Sequence, residues 1–338
     1  MTRYMRPLAT AAALAIIPFA ATTAASTAAS ASTAASASAS ASTATVTAAQ
    51  TPLPVSYDFL AQATLTANAP TTPPPGANNW NCKPDAAHPY PVVLVHGTFA
   101  NMDDNWQTAS PIVVNHGYCV FAFNYGGATA DDDIQGTGDI AASAQTLAAF
   151  VDKVLAATGA AKADLVGHSQ GGMMPRYYIN FLGGAAKVDK LIGLAPSNYG
   201  TTLDGLVTLA NLFGARSLLD NGLASGCDAC AEQEEGSSFL ATLNAKPTVP
   251  GVGYTVIEST DDEVVTPYTN AFLPAAANVT DITLQNQCPL DATDHVEIAS
   301  DPVAMADMLN ALDPARPVKV PCVPVAPLTG PPGPVPAF

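Results

Sequence analysis

Short apolar runs alternate with amphipathic stretches along most of the chain. Val92–Val95, Cys119–Phe123, Asp164–Val166, Lys190–Leu194 and Tyr254–Ile257 read as strands. They are nearly unbroken apolar runs, as strands covered on both faces should be, whereas a half-exposed strand would alternate. Between the second and third runs, Ile140, Ala144, Leu147, Val151 and Leu155 fall on one face of a helix. Strand and helix in alternation predict a mostly parallel central sheet flanked by helices, an α/β fold. One segment departs from this rhythm. Leu203, Leu206, Val207, Ala210 and Phe213 share a helical face, but Leu209 and Leu212 do not. A helix apolar on more than one side is buried or meets something apolar. The segment around 200–240 therefore reads as a small lid or acyl-chain wall, with Leu206 and Phe213 as substrate-binding candidates, or equally as a cap helix packed in the core.

The two ends differ from the middle. Arg3 and Arg6 precede the uncharged apolar stretch Leu8–Ala20, which is short for a membrane span. A signal peptide is expected over 1–25. The Ala/Ser/Thr tract that follows has nothing large to bury, so 26–50 is expected to be a spacer. The folded catalytic domain is expected over 51–322, with a Pro-rich extended tail over 323–338. The formal net charge of -16 would repel phosphate backbones and argues against nucleic acid. Six cysteines in an exported chain favour disulfides, although spacing alone leaves 15 connectivities open. The Cys227-x-x-Cys230 pair has no second such pair to complete a zinc site, so no metal is expected.

The third strand runs into Gly167-His168-Ser169-Gln170-Gly171-Gly172, with a helix expected after it. This is a G-x-S-x-G elbow in the strand–turn–helix context that gives the pattern meaning. The turn lifts the serine to where a base can reach it, and brings the residues two before and two after so close that only glycine fits. A serine hydroxyl needs such a base to become a nucleophile. Where this elbow is used, the chain order is Ser, acid, His. Of the five histidines, only His295 lies after Ser169, so His295 is the base by elimination. The acid should leave a strand between them, and the run Tyr254–Ile257 ends in Ser259-Thr260-Asp261-Asp262. Asp262 is the expected acid, with Asp261 its competitor. Acyl transfer also needs donors for the developing oxyanion. The backbone N–H of Gln170 is one. Thr98, in the loop after the first strand, is the other, and its hydroxyl offers a further bond. His96 is expected to hold that loop in shape.

The stretches 92–98, 167–172, 262–267 and 294–295 resemble the secreted bacterial lipases called lipase class 2. The Gly97-Thr98 and Ser169-Gln170 pairs also resemble fungal lipase B. The resemblance covers about Asn79 to Cys322. It implies the α/β-hydrolase fold and hydrolysis of triacylglycerols or other esters, with no metal and no cofactor. By position it implies disulfides Cys82–Cys119 and Cys288–Cys322, which leaves Cys227–Cys230. The partners expected are an ester or lipid substrate and, transiently, a lipid interface. The expected state is an extracellular monomer. Two enzyme alternatives use the same triad: a polyester or cutin hydrolase, and an acyltransferase. A non-catalytic binding module on this fold is the alternative from another class.

Overall fold

The computed structural model describes residues 51–66, 69–219 and 226–337. The expected signal peptide and spacer lie outside them. The chain enters through α1 (Phe59–Thr66) and β1 (Val92–Val95), then α2 (Ala109–Asn115), β2 (Val120–Ala122) and α3 (Ile140–Thr158). It continues through β3 (Ala163–His168), α4 (Gln170–Met173), α5 (Pro175–Phe181), β4 (Val188–Leu194), α6 (Leu203–Leu212), β5 (Gly253–Glu258) and β6 (Val279–Thr283). Helices Asp228–Gln233 and Ser238–Asn244 lie between α6 and β5, and Pro302–Leu312 follows β6.

The six strands form one sheet in the order β2-β1-β3-β4-β5-β6, with every neighbouring pair parallel. Two apolar layers cover it, because successive side chains of a strand point to opposite faces. Val93, Val95 and Leu165 face the layer that holds Leu147 and Val151 of α3. Val92, Leu94 and Val166 face the layer that holds Met305 and Met308. The five expected strands are present, the first with the expected ends and the others with ends shifted by at most two residues. β6 is the strand the pattern misses. It lies at the sheet edge and is half open to solvent, so Val-Thr-Asp-Ile-Thr lacks the continuous apolar signature.

Disulfides join Cys82 to Cys119, Cys227 to Cys230 and Cys288 to Cys322. The Pro-rich end is not a simple extended tail. Val325 is buried and pairs with Asp291, and Ala326 and Gly330 exchange backbone hydrogen bonds of 3.0 Å. Gly330 has φ +68° and lies so close to the Tyr57 carbonyl that a side chain would collide with it. The turn 326–330 thereby packs against the segment around Tyr57, a contact that local composition could not announce.

Candidate active site

The sheet order puts β3 between β1 and β4, so whatever leaves its C-terminal end sits mid-sheet. Ser169 leaves there with φ +56° and ψ −124°, a conformation that costs on the order of 1–3 kcal/mol for a residue with a Cβ. Its N–H still bonds the Leu194 carbonyl of β4 at 2.9 Å, so the sheet holds the strained turn from below. A Cβ on Gly167 would overlap the Gly171 carbonyl, and one on Gly171 would overlap the Val95 carbonyl. These two glycines are required by crowding. The turn throws Ser169 toward the loop after β1, where a Cβ on Gly97 would come within 3.1 Å of its own Cβ.

Asp262 and His295 meet behind this turn. The His295 Nδ1–H donates to Asp262 Oδ2 at 2.7 Å, and both side chains are fully enclosed. The other oxygen, Oδ1, accepts the N–H groups of Val264 and Val265 at 2.7 and 2.8 Å. Buried Val264 and Val265 pack down and aim those donors. Asp261 is exposed, and its N–H bonds Ser259 Oγ. Burial by itself would lower the His295 pKa. The charge and hydrogen bond of Asp262, with Glu263 and Asp294 adding, outweigh it, and the ring is more basic than its ordinary 6.5. Among the described residues no hydrogen bond reaches His295 Nε2, so it is a free acceptor for a proton. Catalytic hydrogen bonds of this kind tighten when substrate arrives.

Two glutamine amides converge on the Thr98 hydroxyl. Gln170 Nε2 donates to Thr98 Oγ1 at 2.9 Å and to the Gly136 carbonyl at 2.8 Å. Gln233 Nε2 donates to the same hydroxyl at 2.9 Å and to the Ala229 carbonyl at 3.1 Å. The carbonyl partners fix which end of each amide is the donor. Two donors therefore occupy both lone pairs of Thr98 Oγ1, and its own proton is left to give away. Gln170 opens α4, so its backbone N–H has no partner within the helix. Both donors are thus available to an anion at the elbow.

Residues 89–306, well over half of the chain, match the family model of lipase class 2. The chain belongs to the lipase class 2 family. Over 97 residues it is 44% identical to a triacylglycerol lipase of Pseudarthrobacter phenanthrenivorans, covering 27% of this chain and 28% of that protein. A triacylglycerol lipase of Burkholderia plantarii is also 44% identical over 97 residues, covering 27% of this chain and 25% of that protein. The chain thus spans only about a quarter of the length of these curated relatives. The crystal structure of Aspergillus fumigatus lipase B aligns with a TM-score of 0.50 and 22% identity, over 71% of this chain and 55% of that one. This last likeness bears on the fold, which is that of the α/β-hydrolases.

In this lipase class 2 chain, two expectations at the cap change. Leu206 is 1% exposed and packs in the core, and it is not among the residues that line the cavity bounded by Phe213. Phe213 does line one. The buried face of α6 is turned toward Gly205 and Leu209, leaving Leu203 half exposed. The cause is Gly205, which fits beneath the Val264 carbonyl where a Cβ would collide. Packing on the acid loop, and not apolar content alone, sets the helix rotation. The buried residues Gly205, Leu206, Leu209 and Ala210 of α6 favour a cap helix over a freely moving lid.

Three side chains near the site were not singled out in advance. His168 is buried; its Nε2–H donates to the His295 carbonyl at 2.8 Å and ties the elbow to the histidine loop. Burial, then the neighbouring His295, push its pKa down to about 3. Gln233 comes from the cap and orients Thr98, and the Cys227–Cys230 disulfide closes the first turn of its helix. Glu258 ends β5 wholly buried beside Asp262, with Oε1 accepting the Ser259 N–H at 2.8 Å. Burial, then the Asp262 charge, raise its carboxyl well above the ordinary range. Two adjoining buried carboxyls do not both ionise. Asp262 already has three donors, and Glu258 Oε2 has no hydrogen-bond partner among the described residues. A glutamate closing an apolar strand was the only signal in the sequence. His96 holds its loop as expected. It donates from Nδ1 to the Gly97 carbonyl, accepts the Tyr125 N–H at Nε2, and stacks on the Tyr125 ring at 4.2 Å. Burial pushes its pKa down to about 4, so the ring is neutral at neutral pH.

Proposed function

We propose that this chain is a secreted serine carboxylic ester hydrolase that cleaves acyl glycerols or similar esters through an acyl-enzyme on Ser169. The observation that carries the reading is the buried Asp262–His295 pair at 2.7 Å, with the opposite ring nitrogen free, behind a strained serine elbow. His295 Nε2 takes the Ser169 proton as Oγ attacks the ester carbonyl carbon. Charge moves to the carbonyl oxygen, which the Gln170 N–H and the Thr98 hydroxyl receive. Collapse breaks the ester C–O bond, and the departing alkoxide takes the proton from the imidazolium. Water then repeats the sequence with His295 as its base and frees the acid. Asp262 fixes the tautomer and balances the imidazolium. The family supports ester hydrolysis. Secretion is supported by the charged and then apolar start of the chain, and by disulfides, which persist in oxidising compartments.

Ser169 is only 2% exposed, which favours a mobile ester with a narrow chain over a solid polyester. The test is Ser169→Ala assayed on p-nitrophenyl esters, with folding checked by circular dichroism. A folded variant should lose at least about a thousandfold in turnover, since the acyl-enzyme has no other attachment point. Retention of more than a few per cent would overturn the mechanism.

A further inference from the structure

A cavity of about 410 Å³ adjoins the site. Phe99, next after Thr98, and Val296, next after His295, are among its lining residues. Phe99 is held at φ +68°, a strained backbone for a bulky residue, with its N–H bonded to the Gln135 carbonyl and its ring wholly buried. Leu212 and Phe213 form one side. The opposite wall comes from the two ends of the described chain: Phe59, Leu60 and Ala63 of α1, and Leu328 of the C-terminal turn. These four residues lie outside the stretch that matches the family model.

The terminal segments are built in. The Leu60 N–H bonds the Leu328 carbonyl at 3.0 Å, and the Phe59 N–H bonds Glu297 Oε2 at 3.1 Å. Glu297 lies two residues past His295. The Phe59 ring meets Phe213 edge-on at 6.4 Å, closing the wall across to the cap. The polar part of the lining is largely self-contained. Asp104 is bonded to the N–H and side-chain amide of Asn101, and Asp133 stands exposed.

We propose, on the strength of the ester-hydrolase reading, that this cavity holds the acyl chain of the substrate and that α1 with the Leu328 turn sets the chain length accepted. The acyl group stays attached through both half-reactions, so a preformed apolar pocket serves both, whereas the alcohol needs only an exit. The acyl carbonyl must lie against Thr98, and the next side chain along that loop, Phe99, opens the cavity.

The test compares Ala63→Phe and Leu328→Trp, which narrow the wall from its two independent segments. The readout is the ratio of kcat/KM for p-nitrophenyl decanoate over acetate, which cancels any loss of folded enzyme. Each variant should lower that ratio at least about tenfold, the scale of discrimination that a few methylenes in an apolar pocket provide. The ratio for octyl over methyl butanoate, in which the alcohol varies, should stay within about twofold. An unchanged acyl ratio in both variants would overturn the proposal, as would a fall confined to the alcohol ratio. Hydrolysis of the acetate ester by the wild type, and its loss in Ser169→Ala, tests the site reading separately.

Discussion

The short consecutive run 167–172 makes the elbow, whereas the cavity wall beside it draws on segments from Phe59 to Leu328. The elbow is tight and strained: glycines meet carbonyls with no room for a methyl group, and Ser169 has one permitted position. The wall is loose by comparison. It is made of apolar side chains that touch across a cavity and are held by a few backbone hydrogen bonds between distant segments. Damage to the first should act on the chemical step nearly all-or-none. Damage to the second should act on selectivity by degrees. The acid loop lies between these extremes, since its donors are local but its target, His295, arrives from another part of the chain.

The comparison is broken most directly at Asp262. Asp262→Asn should lower turnover on the order of a thousandfold, because the amide no longer selects the tautomer or balances the imidazolium. Single-turnover kinetics on a short p-nitrophenyl ester would measure it, and a loss below about tenfold would dismiss Asp262 as the acid.

A smaller effect is expected at Thr98. Thr98→Val keeps the shape but removes the donor and takes one of two acceptors from each of the Gln170 and Gln233 amides, costing about a hundredfold in kcat. Thr98→Ser should recover most of it. Equal activity in the valine and serine variants would show that the hydroxyl donates nothing to the reaction.

The pH profile sharpens the same contrast. His295 must be neutral to accept a proton, and its pKa lies above 6.5. The active form is therefore lost as pH falls through a value above 6.5, and kcat/KM should show an acid limb there with high activity on the alkaline side. In Asp262→Asn the main raising influence is gone while burial remains, so the limb of the residual activity should move to lower pH. A limb that stayed in place would assign it to another group.

The smallest change belongs to Asp261. This exposed neighbour should tolerate Asn with less than about a tenfold loss, mostly through the loop. If Asp261→Asn were the inactive variant and Asp262→Asn the active one, the reading of this loop would be out by one residue.

Much of the molecule follows from sequence because its determinants are local. Unbroken apolar runs mark buried strands, a helical period marks α3, and G-x-S-x-G after a strand specifies a turn that only glycine permits. His295 was named by elimination, since no other histidine follows Ser169. Asp262 stands out as the candidate acid because it follows a strand and precedes two valines whose burial fixes its backbone donors.

The remainder depends on segments far apart in the chain. β6 carries no apolar run because an edge strand needs none. The rotation of α6 follows from Gly205 beneath Val264, which packs Leu206 in the core. Gln233 reaches Thr98, and Glu258 lies buried beside Asp262, only because the fold brings them together. The terminal segments meet at Leu60 and Leu328 through backbone hydrogen bonds, which any residue but proline can donate. Sterics and periodicity acting over a few residues fix the sheet, the elbow and the order of its chemical groups. The shape of the cavity and the neighbours of each polar group come from the packed fold, because burial and backbone pairing depend on which distant segments arrive.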